Sequence, residues 1–103
     1  IPWAGHANYA ASKGGLMLLG KTLAQELAPR KIRVNCVSPG MIATTFHDTF
    51  TKPEVRKVVA SRTSIGREGT AEDVANSVVF LASDASAYIT GESIEINGGL
   101  YFT

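Results

Sequence analysis

The sequence predicts an α/β fold, the tail of a parallel sheet with helical crossovers, and three observations carry that prediction. A Pro-free stretch from Asn8 to Leu27 repeats Leu16, Leu19, Leu23 and Leu27 at three- and four-residue steps, the period of one helix face. Two short β-branched segments, Ile32 to Ser38 and Ser93 to Asn97, alternate along the chain and end in Pro39-Gly40 and Gly98-Gly99. Between them lie a Thr-rich connection and a second apolar helical stripe, so the order reads α-β-loop-α-β.

Taken in order, Asn8 is placed to cap the first helix, with Tyr9 at its start and Pro29 ending it after about five turns. Gly14, Gly15 and Gly20 inside that helix each cost about 1 kcal/mol relative to Ala, which predicts another backbone pressed against them. Together with Ala10, Ala11, Met17 and Leu18, the apolar surface wraps most of the helix. Such a helix lies deep in a core or is shared between a core and a subunit interface. Residues 41 to 69 read as a lid-like loop with a short helix around Glu54 to Ser61, entered through Pro53. Thr70-Ala71-Glu72-Asp73 resembles a capped helix start, followed by Val74, Val78, Phe80 and Leu81 as the apolar stripe up to Asp84. A bend from Asp84 to Gly91 leads into the final strand.

The chain has 103 residues, 45% hydrophobic and 18% charged, with a net charge of +1. One domain is the ceiling. A domain that binds a dinucleotide and also shapes a substrate pocket takes about 200 residues or more, so the sequence reads as a piece of one. Ile1-Pro2-Trp3-Ala4-Gly5, with no initiator Met and no leader pattern, agrees with a start in mid-protein. Ten basic and nine acidic side chains give no field to recruit nucleic acid or an anionic membrane. The longest apolar runs, Leu16 to Leu19 and Val78 to Ala82, fall far below the roughly 20 residues of a membrane span. A lone cysteine, Cys36, makes no internal disulfide, and with two scattered His it makes no zinc site, so a reducing, cytoplasmic setting fits best.

Two motifs overlap in the first helix. Gly15-Leu16-Met17-Leu18-Leu19-Gly20-Lys21-Thr22 fits the spacing of a phosphate-binding P-loop. That motif requires an exposed, curling loop after a strand, whereas here Leu-Met-Leu-Leu continues the helical period and nothing before Gly15 reads as a strand. The second is Tyr9-Ala10-Ala11-Ser12-Lys13, which stacks a phenol and an ammonium on one helix face. A free phenol titrates near pH 10, and a nearby ammonium favours phenolate, which would let Tyr9 exchange a proton at neutral pH. Lys13 has three donors, enough to influence the phenol and also hold ligand hydroxyls. Alone, the pair is better explained as a Tyr packed at a helix end beside a solvated Lys.

Context changes that balance. Tyr9-Ala10-Ala11-Ser12-Lys13-Gly14-Gly15, Leu23 to Ala28, Ile32-Arg33-Val34-Asn35 and Ser38-Pro39-Gly40 closely resemble the C-terminal half of short-chain dehydrogenase/reductases. So do Gly66 to Gly69, Glu72 to Ala75, Phe80 to Asp84, Tyr88 to Gly91 and Asn97-Gly98-Gly99, so the resemblance covers essentially the whole chain in order. It implies the C-terminal portion of a Rossmann-type doubly wound parallel sheet, a three-layer αβα arrangement, with residues 1–103 as part of a single dehydrogenase domain. It also implies NAD or NADP as cofactor and the interconversion of a secondary alcohol and a ketone. By the same resemblance Tyr9 is the catalytic acid/base, and Lys13 holds the nicotinamide ribose and tunes Tyr9. The resemblance also implies that Pro39, Gly40, Ile42 and Thr44 lie along the nicotinamide, Ile42 through its backbone and Thr44 through hydroxyl and backbone. The carboxyl end of a strand is where open α/β sheets bind ligands.

The resemblance further implies a small carbonyl or alcohol substrate and a homodimer or homotetramer built partly on the first helix and on the tail from Leu100 to Thr103. Alternatively, the piece by itself is a non-catalytic assembly fragment. The family's catalytic Ser, its relay Asn and the glycine-rich pyrophosphate turn have no counterpart in these 103 residues. Ala71 stands where the family often has Pro, and Asn97 where Asp is common. His6, Phe46, His47 and Phe50 are candidates to touch substrate, although a surface His is the commoner explanation. Ile1-Pro2-Trp3 hints at a sugar, sugar acid or polyol. Arg30, Lys31 and Arg33 are expected to complement the dipole at the end of the first helix.

Overall fold

The computed structural model describes residues 7–40, 42–43 and 52–101, the side chain of Tyr9 excepted. Helix α1 spans Ala7–Leu27, and a 3-10 turn, Ala28–Arg30, follows with Pro29 at its start. Lys31 then takes a left-handed conformation, φ 60°, and its N–H closes on the Ala28 carbonyl at 2.9 Å. Strand β1 is Cys36–Pro39 and strand β2 is Ser93–Ile96. They pair in parallel with Cys36 opposite Ser93 and Pro39 opposite Ile96. A parallel pair needs a crossover. Here it contains helix α2, Pro53–Arg62, helix α3, Ala71–Ala82, and a 3-10 turn, Asp84–Ser86.

Because Asn8 lies inside α1 rather than ahead of it, the expected cap position is corrected by at least one residue. The helix itself runs unbroken through residues 15–22, so the P-loop spacing there is helical backbone.

Strand β1 is shorter than Ile32 to Ser38, and hydrogen bonding explains why. Before Cys36 one backbone bond, Gly91 N–H to the Val34 carbonyl at 2.7 Å, is flanked by side-chain bonds: Thr90 Oγ1 accepts the Val34 N–H at 3.0 Å, and the Asn35 amide takes the Glu92 N–H and donates to the Ile89 carbonyl. Regular pairing starts only at Cys36, whose N–H reaches the Glu92 carbonyl at 2.8 Å.

The helix face that meets the sheet is the one carrying small residues. Gly20 and Ala24, one turn apart, sit against it: a Cβ on Gly20 would lie 2.8 Å from Cys36 Sγ, and one on Gly91 would lie 3.6 Å from Ala24 Cβ. Ala24 is 5% exposed, whereas Leu16, Leu18 and Leu19 are 60%, 66% and 52% exposed. The packed stripe is thus made of small residues, because close approach of helix and strand excludes leucines there. A Cβ on Gly14 or Gly15 would meet nothing within 4 Å among the described residues, so the expected backbone neighbour is absent there.

Helix α3 starts as expected. Thr70 Oγ1 accepts the Asp73 N–H at 3.1 Å while Asp73 Oδ2 accepts the Thr70 N–H at 2.7 Å, a reciprocal capping box. At its far end Ser86 is 1% exposed and accepts from Arg33 at 3.1 Å. Arg33 also donates to the carbonyls of Ser83 and Ile89, each at 3.2 Å. The guanidinium therefore ties the approach to β1 to the corner after α3 and does not complement the end of α1, as the sequence had suggested.

Candidate active site

One stripe of α1 carries Lys13, Met17, Gly20 and Ala24, at steps of four, three and four, and this stripe faces the sheet. From the Gly20–Cys36 contact, seven helical residues back to Lys13 rise about 10 Å. Three strand residues forward to Pro39 rise about 10 Å as well. Lys13 is consequently delivered to the carboxyl end of β1. Tyr9, one turn earlier on the same stripe, is carried past that end.

Between this stripe and β1 lies a cavity of about 270 Å³. Ser12, Lys13, Leu16 and Met17 line it from α1, residues 36–39 from β1, and Ser93 from β2. Lys13 and Pro39 thus share one cavity. Beyond it the chain turns at Gly40, whose N–H bonds to the Ile96 carbonyl at 2.9 Å. Only glycine fits: a Cβ at Gly40 would lie 2.8 Å from the Asn97 Cβ and 3.0 Å from its Cα. Ile42 follows, 8% exposed and bridged to Gly69. Since its side chain is buried, any contact Ile42 makes with a ligand is through its backbone.

The turn after β2 brings an unforeseen group to Lys13. Asn97 Oδ1 accepts the Gly99 N–H at 2.9 Å and its Nδ2 donates to the Tyr101 carbonyl at 3.1 Å, while Gly98 and Gly99 take φ of 61° and 79°. Folded back in this way, Tyr101 places its hydroxyl 3.5 Å from Lys13 Nζ. The Leu100 N–H also closes on the Asn97 carbonyl at 3.0 Å; an Asp at position 97 would keep these acceptors but has no donor for the Tyr101 carbonyl. The Asn-Gly-Gly run signals such a turn, but nothing in sequence says that residue 101 meets residue 13.

Of the six sequence-predicted site residues, the backbone of Tyr9 and all of Lys13, Pro39, Gly40 and Ile42 lie within the described structure. The Tyr9 side chain and Thr44 lie outside it, as do Ile1 to His6, Phe46, His47 and Phe50. Among the described residues no three His, Cys, Asp or Glu side chains come together as a metal site. No described helix is long and apolar enough to cross a membrane.

A helix stripe bearing Tyr9 and Lys13 over the carboxyl end of a parallel strand can be set beside known proteins. A family model described as enoyl-(acyl carrier protein) reductase matches residues 1–101. The chain belongs to the short-chain dehydrogenase/reductase family. The family's hydride carrier is NAD or NADP. Among similar curated proteins, the 3-oxoacyl-(acyl-carrier-protein) reductase FabG of Escherichia coli is 47% identical over 97 residues, covering 94% of this chain and 39% of that protein. The reductase of the same name from Thermotoga maritima is 49% identical over 96 residues, covering 93% and 39%. Nodulation protein G of Rhizobium meliloti is 45% identical over 96 residues, again 93% and 39%. The chain therefore spans about two fifths of the length of these relatives.

Proposed function

We propose that residues 1–103 are the C-terminal part of a single Rossmann-type, NAD(P)-dependent ketoreductase domain. In that reading β1 and β2 are two strands of a doubly wound, three-layer αβα sheet, whose remaining strands and glycine-rich pyrophosphate turn belong to the larger protein. The observation that carries it is the delivery of Lys13, one turn after Tyr9, to the carboxyl end of β1. The residues present fit a nicotinamide nucleotide: Lys13 offers ammonium donors beside a cavity, and the chain beyond it turns through Gly40 with backbone close to the strand ends.

Lys13 would hold the ribose hydroxyls, and the backbone of Pro39, Gly40 and Ile42, with Thr44, would flank the nicotinamide. When bound, the reduced nicotinamide supplies hydride to a carbonyl carbon. Tyr9 gives its phenolic proton to the carbonyl oxygen as that oxygen becomes an alcohol, and takes it back in the reverse direction. The positive charge of Lys13 favours the phenolate that Tyr9 becomes, so one side chain orients the ribose and assists the proton transfer.

The names of the similar proteins support a 3-oxoacyl thioester on acyl carrier protein as substrate over the sugar, sugar acid or polyol suggested by Ile1-Pro2-Trp3. They also make the carrier protein a partner, one that composition alone did not suggest. The family model's description names enoyl reduction instead. We favour the ketone, because three relatives between 45% and 49% identical over more than nine tenths of this chain include two named 3-oxoacyl reductases. The full-length protein, given NADPH or NADH, should reduce a 3-oxoacyl thioester and leave the 2-enoyl thioester of equal chain length largely untouched. Faster consumption of the enoyl thioester would reverse the assignment.

The exposed leucines of α1 support a second element of the reading, a homodimer or homotetramer in which this helix meets a second copy.

A further inference from the structure

Once the chain leaves β1, the sheet no longer holds it. The Gly40 N–H still reaches Ile96, but from Ile42 onward the partner is Gly69, which bridges Ile42 in parallel and accepts the Ala43 N–H at 2.8 Å. Gly69 ends a loop, 63–69, with holdfasts of two kinds. Local ones are Thr63 Oγ1, which accepts the N–H groups of Gly66 at 2.8 Å and Arg67 at 3.1 Å, and the Arg67–Asp73 ion pair. Others reach away from the loop: the Ile65 N–H donates to the Gly98 carbonyl at 2.9 Å, Ser64 Oγ donates to the Gly99 carbonyl at 3.1 Å, and one hold engages the residue beside Gly69. Glu68, next to Gly69, takes Arg56 Nε and Nη2 at 3.1 Å each, and the two side chains are 19% and 22% exposed.

A planar two-bond fork admits one relative attitude of its partners, and burial makes an unmatched half costly. We propose that the Arg56–Glu68 pair is a positioning device for the cofactor-side segment: holding Glu68 holds the Gly69 carbonyl, which holds Ile42 and Ala43. The inference rests on the reading of Ile42 as a backbone contact of the nicotinamide. Neither Arg56 nor Glu68 is a catalytic residue in this scheme; the pair acts through the backbone. Losing it therefore weakens cofactor binding and leaves the proton transfer of Tyr9 as it was.

The test uses the full-length protein with Glu68→Gln, Arg56→Gln and the double substitution. NADPH affinity is read by nicotinamide fluorescence, and the hydrogen exchange of the Ala43 amide is read alongside it. Glu68→Gln should weaken NADPH binding about tenfold in the wild-type background and less than about twofold in the Arg56→Gln background, since the two groups act as one unit. Ala43 exchange should accelerate in both single variants, and the pH profile of kcat at saturating cofactor should not move. Equal effects of Glu68→Gln in both backgrounds, or an Ala43 amide that exchanges at the wild-type rate, would overturn the proposal. So would a variant with a lowered melting temperature but wild-type NADPH affinity well below it. If the wild-type protein fails to bind reduced nicotinamide at all, the cofactor reading of Ile42 falls, and Ala43 exchange alone decides whether the pair fixes the segment.

Discussion

At Gly20 the space for a side chain is taken by Cys36 Sγ, 2.8 Å from where a Cβ would be. A Gly→Ala change inside a helix normally gains about 1 kcal/mol, so the sign of its effect here depends on that sulfur. We expect Gly20→Ala to lower stability in the wild-type background and to raise it in a Cys36→Ala background, a coupling of about 1 kcal/mol or more by chemical denaturation. Additive effects would mean that helix and strand do not touch at this point. The same contact explains what could and could not be read from residue types. That Gly20 is kept at a helical position signals crowding, and the structure supplies the neighbour. Which of three glycines is crowded depends on the sheet behind the helix, so Gly14 and Gly15 raised an identical expectation that the described residues do not meet. Spacing put Tyr9 and Lys13 on one helix face and the family resemblance suggested their roles, whereas Tyr101 left no signal, because an 88-residue separation leaves no local trace.

Among the elements, the helices were the most legible and the strands the least. Pro53 and the Thr70–Asp73 box mark the starts of α2 and α3 within the local chain, and both helices begin there. Strand β1 is set by a partner 57 residues away, and Asn35 delays the start of the regular ladder by spending its side chain on residues 89 and 92.

The box makes its own prediction. Thr70→Ala should cost about 1 kcal/mol of stability, measured in denaturant at neutral pH. Asp73 adds a pH dependence with a defined sign. The Arg67 guanidinium, then the Thr70 N–H and hydroxyl, hold its carboxyl well below the usual carboxylate range. A folded-state value below the unfolded one near 4 means that this stabilisation is present above pH 4 and is lost as pH falls further. The stability gap between the wild-type protein and Asp73→Asn should therefore shrink steadily below pH 4. A gap that is constant from pH 7 to pH 2 would place the stabilisation elsewhere.

On the scale of the molecule, the described residues bury little apolar surface: Ala24 and Ile42 are the hydrophobic residues buried among them, while Val78, Val79 and Phe80 of α3 are exposed, as are Leu16, Leu18 and Leu19 of α1. Sequence periodicity put Leu16 and Leu19 in one stripe, and only the packing shows that the small-residue stripe faces the sheet, leaving Leu18 and Leu19 open for another surface. In the full-length protein, Leu18→Glu combined with Leu19→Glu should reduce the sedimenting mass toward that of a monomer, and an unchanged mass would remove α1 from the assembly interface.

The central claim is that the Tyr9 and Lys13 stripe, set over the end of β1, performs proton transfer for a nicotinamide-dependent carbonyl reduction. Its most direct test is the turnover of full-length Tyr9→Phe with NADPH and a 3-oxoacyl thioester, measured together with NADPH affinity. The account predicts turnover at least about a hundredfold lower, the lower end of what a positioned acid or base contributes, with NADPH affinity close to wild type. Turnover within a few-fold of wild type would contradict it.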